Sequence, residues 1–276
     1  MTYSTLMVHM DLGRPNDAVL AVAADLAERF KAGVTGVAAC QPMQMGYMEG
    51  YASGDMIDQD RTEIDREIGA AEASFRTALS RSVPNLDWRT SVSFLPIADF
   101  ITANARSADL VITGGVGDRS SLDPTRRVDL GELIIQLGRP VLVVPAHIDR
   151  VNLDNVVVGW RDTRESRRAI VDALPLLREA QHVTVVELVP RDELEAAQRR
   201  VADVVAWLSK HRVAAEAQAE PSKGDAAGRL EQIAAERGAG LFVAGAYGHN
   251  RLREWVLGGV TRNLLSESAR CSLLSH

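Results

Sequence analysis

Short apolar runs of strand length alternate along this chain with longer stretches whose apolar positions recur at helical spacing. "STLMVHM" leads into "DAVLAVAADLAERFKAG", in which Val19, Val22, Ala23, Leu26 and Phe30 share one helical face. "VTGVAAC" predicts a second strand, "RTEIDREIGAAEASFRTALSR" a charged helix and "DWRTSVSFL" a third strand. A helix at "ADFITANARSA", a strand at "DLVITGG", a helix at "LGELIIQLG" and a strand at "RPVLVVP" complete the series. Valine-rich strands without polar alternation, each followed by a helix, predict a parallel sheet covered on both faces.

The pattern then begins again. "NVVVGW" repeats the first strand, "ESRRAIVDALPLLRE" the first helix, and "HVTVVELVP", "RRVADVVAWLSKH", "RVAAEAQAE", "RLEQIAAERGA", "GLFVAGA", "VTRNLLSESA" and "CSLLSH" follow in the same order. "ADLVITGG" begins at Ala108 and "AGLFVAGA" at Ala239, 131 positions later, and the same offset relates Arg139 to Arg270. Two related βα domains are expected, residues 1–147 and 153–276, joined around residues 146–154. Near the two starts the offset grows to about 150, so the first half holds extra residues. The Met-, Gly- and Tyr-rich stretch 42–60 accounts for them as a loop, either mobile or set against a ligand or a partner.

Of the 276 residues, 46% are hydrophobic and 25% charged, which is ordinary for a globular chain. A net charge of -6 argues against a broad electrostatic grip on nucleic acid or anionic lipid. No apolar run reaches the roughly 18 residues of a membrane span, and the start of the chain reads directly as a strand. A cytoplasmic protein is the expectation. Cys40 and Cys271 lack metal or redox spacing and are expected as buried, reduced thiols.

The candidate chemistry lies in "GAYGHNRLREWVLGGVT". Gly245 and Gly248 follow a strand, and nine residues later Gly258, Gly259, Val260 and Thr261 open a helical pattern. Glycines at a strand end let backbone approach a ligand closely. Free N–H groups at a helix start attract an anion, and the Thr261 hydroxyl adds a donor. The two arms form a phosphate cradle, although glycines serve plain turns as well. Neither a Walker loop nor a dinucleotide fingerprint is present. In the first half Gly114 and Gly117 keep the turn, whereas Arg127, Val128 and Leu130 replace Gly258, Gly259 and Thr261. Asp118, Asp123 and Asp129 add negative charge there. That half reads as a degenerate copy.

The G-x-x-G-x9-G-G-V-T stretch, the strand-one segment "VVVGWRDTRESRRA" and the domain ends "GRPVLVVP" and "ARCSLLSH" resemble the universal stress protein family in its tandem form, over essentially the whole chain. The resemblance implies an α/β fold of two Rossmann-like domains (adenine nucleotide alpha hydrolase-like). Each is a five-stranded parallel sheet, and their last strands pair as an internal pseudo-dimer. It also implies binding of an adenine nucleotide, ATP with or without Mg²⁺, in a stress-response protein with no firmly assigned reaction. Two departures stand out. Gly259 replaces the usual serine. Arg161, followed by Asp162, stands where the first half keeps the Asp11 that meets the nucleoside in the family. Leu188, near the end of the second strand, matches the family pattern, which implies that its backbone atoms meet the base.

Catalytic signals are thin. The six histidines show no metal-ligand pairing, no Gly-x-Ser-x-Gly elbow occurs, and no water-activating base stands out. His249, Arg251 and Arg253 could face phosphate or solvent, and Trp160 could stack on a base or cap the core. Three readings follow: a non-catalytic adenine-nucleotide-binding protein, a ligand-free module that pairs domains and a client protein, and slow ATP hydrolysis. A homodimer through edge strands is compatible with each.

Overall fold

The computed structural model describes residues 2–43, 54–115, 124–222, 224–246 and 269–276. The first half runs β1 (Thr5–His9), α1 (Asp17–Phe30), β2 (Gly33–Cys40), α2 (Gly54–Leu79), β3 (Leu86–Val92), α3 (Ile97–Asn104), β4 (Leu110–Gly114), α4 (Leu130–Leu137) and β5 (Val141–Val144). The second runs β6 (Asn155–Trp160), α5 (Arg164–Asp172), α6 (Leu174–Leu177), β7 (His182–Val189), α7 (Leu194–Lys210), β8 (Ala215–Pro221), α8 (Ala226–Glu236), β9 (Leu241–Gly245) and β10 (Cys271–Ser275).

All ten strands form one sheet in the order β3-β2-β1-β4-β5-β10-β9-β6-β7-β8. Each half is parallel throughout, as the unbroken apolar runs predict. The order 3-2-1-4-5 of the first half reappears reversed in the second. The two meet at an antiparallel pair, β5 with β10, where Leu142 faces Leu273 and Val141 faces Leu274. All four side chains are fully buried. Each such burial stabilises by roughly 1.5–3 kcal/mol, so the seam is continuous core rather than a contact between finished surfaces.

Alternating strand residues serve two layers. Leu6 and Val8 of β1 join Leu26 of α1, Phe75 of α2, Ile170 of α5 and Val201 of α7 on one face. Met7 joins Ile101 of α3, Leu133 of α4 and Ile233 of α8 on the other. Across the seam the Tyr3 hydroxyl donates to the Asp172 carbonyl at 2.7 Å, and Arg29 reaches the Val151 carbonyl at 3.2 Å.

The structure refines two expectations. The single helix expected over "ESRRAIVDALPLLRE" is two pieces, α5 and α6, which meet at Ala173 just before Pro175. Residues 54–60, expected within a loop, are the first turns of α2, because Met56, Asp60 and Ile64 already fall one turn apart. Cys40 and Cys271 are buried and not joined in a disulfide, and burial beside Asp25 pushes the Cys271 thiol up to about 12. Among the described residues no helix is long and apolar enough to cross a membrane.

Candidate functional site

Strand order reverses beside β1 in the first half and beside β6 in the second, so crevices open at the carboxyl ends of β1/β4 and β6/β9. The backbone there is built twice to one plan. Gly115 N–H donates to the Val144 carbonyl at 3.1 Å, and its counterpart Ala246 to Ser275 at 2.8 Å. The turn after each first strand is tied to the start of the next helix. Asp11 N–H donates to Asn16 Oδ1 at 2.9 Å, and Arg161 N–H donates to Ser166 Oγ at 3.3 Å.

The side chains differ. In the first half Asp11 Oδ1 lies 3.9 Å from the Nδ1 of fully buried His9, which is 3.0 Å from Thr113 Oγ1. Burial pushes the His9 imidazole down from its ordinary value, and Asp11 only partly offsets this. At the end of β2, the largely buried Arg126 donates to Glu67 at 2.9 Å, to Asp60 at 3.1 Å and to the Gln41 carbonyl at 3.0 Å. The start of α4, the place for an anion, already has its own carboxylate: Asp129 accepts from Glu132 N–H at 3.0 Å, while Leu130 is buried in the core.

In the second half Arg161 is exposed and has no ion pair among the described residues. Asp162, also exposed, pairs with Arg167 at 2.5 Å. Thr163 caps α5 by accepting from Ser166 N–H at 3.3 Å. Glu165, mostly buried at that cap, is pushed up by desolvation. Hydrogen bonds from its own N–H, the Thr163 hydroxyl and Arg164 outweigh this and hold it below the ordinary value. Gly245 meets this turn directly: a β-carbon on it would lie 2.5 Å from the Glu165 carbonyl carbon and from Ser166 N. Leu188 is half-buried on β7 opposite Glu220. The structure thus brings Arg161, Asp162 and Gly245 together around the start of α5. Gly248, Gly258, Gly259, Val260 and Thr261 lie outside the described residues, as do Gly117, Asp118 and Asp123.

Sequence reasoning did not find the buried Glu187, opposite Trp160 on β6, which accepts a two-pronged hydrogen bond from Arg200 at 2.8 and 3.1 Å. A lone carboxylate inside "HVTVVELV" was the available signal. The Arg126 cluster was equally hidden, since Asp60 and Glu67 lie some sixty residues before it. Among the described residues no group of His, Cys, Asp and Glu could hold a metal ion.

No protein-family model matches the chain, and no curated protein matches it. Solved structures do. A universal stress protein from Archaeoglobus fulgidus DSM 4304 superposes with a TM-score of 0.71 at 12% identity, over 98% of this chain and 97% of that one. The chain has the fold of a tandem universal stress protein. A functionally unknown protein from Pseudomonas aeruginosa PAO1 gives a TM-score of 0.61 at 13% identity over 99% of this chain and 92% of that one. A provisionally named universal stress protein from P. aeruginosa UCBPP-PA14 gives 0.61 at 13% over 99% and 93%. At such identities the likeness is one of backbone. In this universal stress protein fold the two crevices share a frame and differ in what fills them.

Proposed function

We propose that the second half binds an adenine nucleotide, ATP with Mg²⁺, at the carboxyl edge of β6 and β9, and that the chain works in the cytoplasm by binding rather than by catalysis. The two domains, residues 1–147 and 153–276, then divide into one closed crevice and one loaded one. The observation that carries this reading is the charge at equivalent places. The first half offers the Asp11 carboxylate, 4.0 Å from the Arg14 guanidinium, and a helix start already capped by Asp129. The second offers the exposed guanidinium of Arg161, without an ion pair among the described residues. A polyphosphate is repelled by the first arrangement and attracted by the second. The sequence beyond Gly245 supplies Gly248, Gly258, Gly259 and Thr261 as further backbone and hydroxyl donors. Val260 opens the helical pattern there, Asp162 stands next to Arg161, and Leu188 offers backbone atoms to the base.

Native mass spectrometry of the freshly purified protein, followed by titration calorimetry with ATP and Mg²⁺, tests it. One nucleotide per chain is expected, lost in a Gly258→Val, Thr261→Ala double variant and kept in Asp129→Ala. Two nucleotides per chain, or none at millimolar ATP, would overturn it.

The reading of a ligand-free module rests on Arg161 and Gly259, each a departure from the family's binding pattern, and on one observation of the structure. Close packing on α5 already requires Gly245 to lack a β-carbon, with no nucleotide involved.

A further inference from the structure

Exposed large apolar side chains are scarce among the described residues, and they are gathered in one place. Met43, Met56, Ile57, Val92, Phe94 and Leu95 are each about half exposed or more, and Phe94 and Leu95 reach 66%. The remaining one, Val171, is far away on α5. The six are held together around the end of β2. Val92 is paired with Cys40, and the Gln41 side-chain amide donates to the Phe94 and Leu95 carbonyls at 3.2 and 3.0 Å. Met43 N–H donates to Asp60 at 2.8 Å, on the turn of α2 that follows Met56 and Ile57. Asp60 is itself fixed by the buried Arg126, so the corner is a built surface.

The patch does not belong to the repeat. α2 has 26 residues against 17 in its counterpart α7, and the extra turns carry Met56 and Ile57. At the equivalent corner of the second half the counterpart of the exposed Val92 is Pro221, half-buried opposite Val189. A cluster of exposed apolar side chains at one corner marks an interaction site, and methionine adapts to varied apolar partners. Charge decides which partner. Asp55, Asp58 and Asp99 are exposed beside the patch and have no ion pair among the described residues. Arg61, on the same helix as Asp55 and Asp58, is exposed, and Arg126 is buried and already paired with Asp60 and Glu67. A second copy would bring like charges together around the apolar centre.

We infer that this corner docks an amphipathic, basic segment of another protein, apolar on one face and flanked by lysine or arginine. The apolar face covers Phe94, Leu95 and the methionines, and the cations meet Asp55, Asp58 and Asp99. This is independent of nucleotide binding, since none of these residues lies in the second half.

The test uses the full chain and fluorescence anisotropy with a labelled amphipathic leucine–lysine helix, beside a leucine–glutamate helix of the same pattern. The lysine helix is expected to bind, more weakly as salt rises. A Phe94→Asp, Leu95→Asp variant should weaken it by at least about tenfold. Asp55→Asn, Asp58→Asn, Asp99→Asn together should cost about tenfold at low salt. Both variants change exposed residues, and circular dichroism checks that they fold. Equal binding of the glutamate helix, or unchanged binding by the Phe94/Leu95 variant, overturns the inference. Two other outcomes overturn it in favour of different occupants. One is a dimer by sedimentation that the Phe94/Leu95 variant dissolves. The other is binding only after residues 44–53 are replaced by a glycine–serine linker.

Discussion

Gly245 packs its bare Cα against the amide of Ser166, the residue that also ties down the turn after β6. A β-carbon would sit 2.5 Å from that nitrogen, and the obstacle is backbone at the capped start of α5, which has no flexible end to yield. At the equivalent Gly114 the nearest atom would be Asp11 Oδ2 at 3.5 Å, an ordinary contact. Gly245→Ala is therefore expected to destabilise the chain by about 1–3 kcal/mol through overpacking, and Gly114→Ala by less than about 1 kcal/mol. Urea denaturation of the two variants decides it. Equal midpoints would mean that α5 yields.

That pair also shows what could be read without coordinates. The repeat, the parallel strands and the pairing of last strands followed from apolar periodicity and from the resemblance, because a strand buried on both faces leaves an unmistakable apolar run. Gly245 was legible as a place of close approach, but its neighbour was not. The contact with Ser166 depends on how far the end of β9 lies from the start of α5, which no local pattern encodes. The Arg126 cluster was illegible for the same reason. The α2 segment reads only as a charged helix until the turn at Pro124–Arg126 brings a guanidinium against it.

Arg126 leads to a second prediction. It neutralises Asp60 and Glu67, both mostly buried, at 3.1 and 2.9 Å. Removing the cation leaves two carboxylates partly out of water, so Arg126→Ala is expected to cost about 3 kcal/mol. Arg126→Met with Asp60→Asn and Glu67→Gln should recover part of that loss, because neutral partners no longer repel. Thermal denaturation of the single and triple variants measures it. No recovery in the triple variant would assign the loss to packing instead.

The seam between halves offers a third test. The Tyr3 hydroxyl is buried and donates to the Asp172 carbonyl, and burial, with Asp172 and Asp109 nearby, pushes the phenol far up. It is protonated at neutral pH and donates there. Tyr3→Phe preserves the edge-on contact with Phe30 (ring centroids 5.2 Å apart) and loses only the hydrogen bond. The expected cost is about 1 kcal/mol, with cooperativity unchanged. Separate unfolding transitions for the halves would show that this bond couples them more strongly than its energy suggests.

His9 gives the fourth prediction, in which the sign matters. Its imidazole is fully buried, and burial holds its pKa below the ordinary 6.5 despite the Asp11 carboxylate 3.9 Å away. In the unfolded chain the ring takes up a proton as pH falls through about 6.5, whereas in the folded chain it stays neutral to lower pH. Within that window the unfolded state binds more protons, so stability declines as pH falls, by at most about 1.4 kcal/mol per pH unit for this one proton. Above the window His9 contributes no slope. His9→Asn keeps a polar group near Thr113 and removes the titration. Urea midpoints measured from about pH 7.5 down to about pH 5.5 should fall less steeply in the variant than in the parent. Parallel curves would show that the burial of this ring carries no proton linkage, and the acid sensitivity would then belong to other groups.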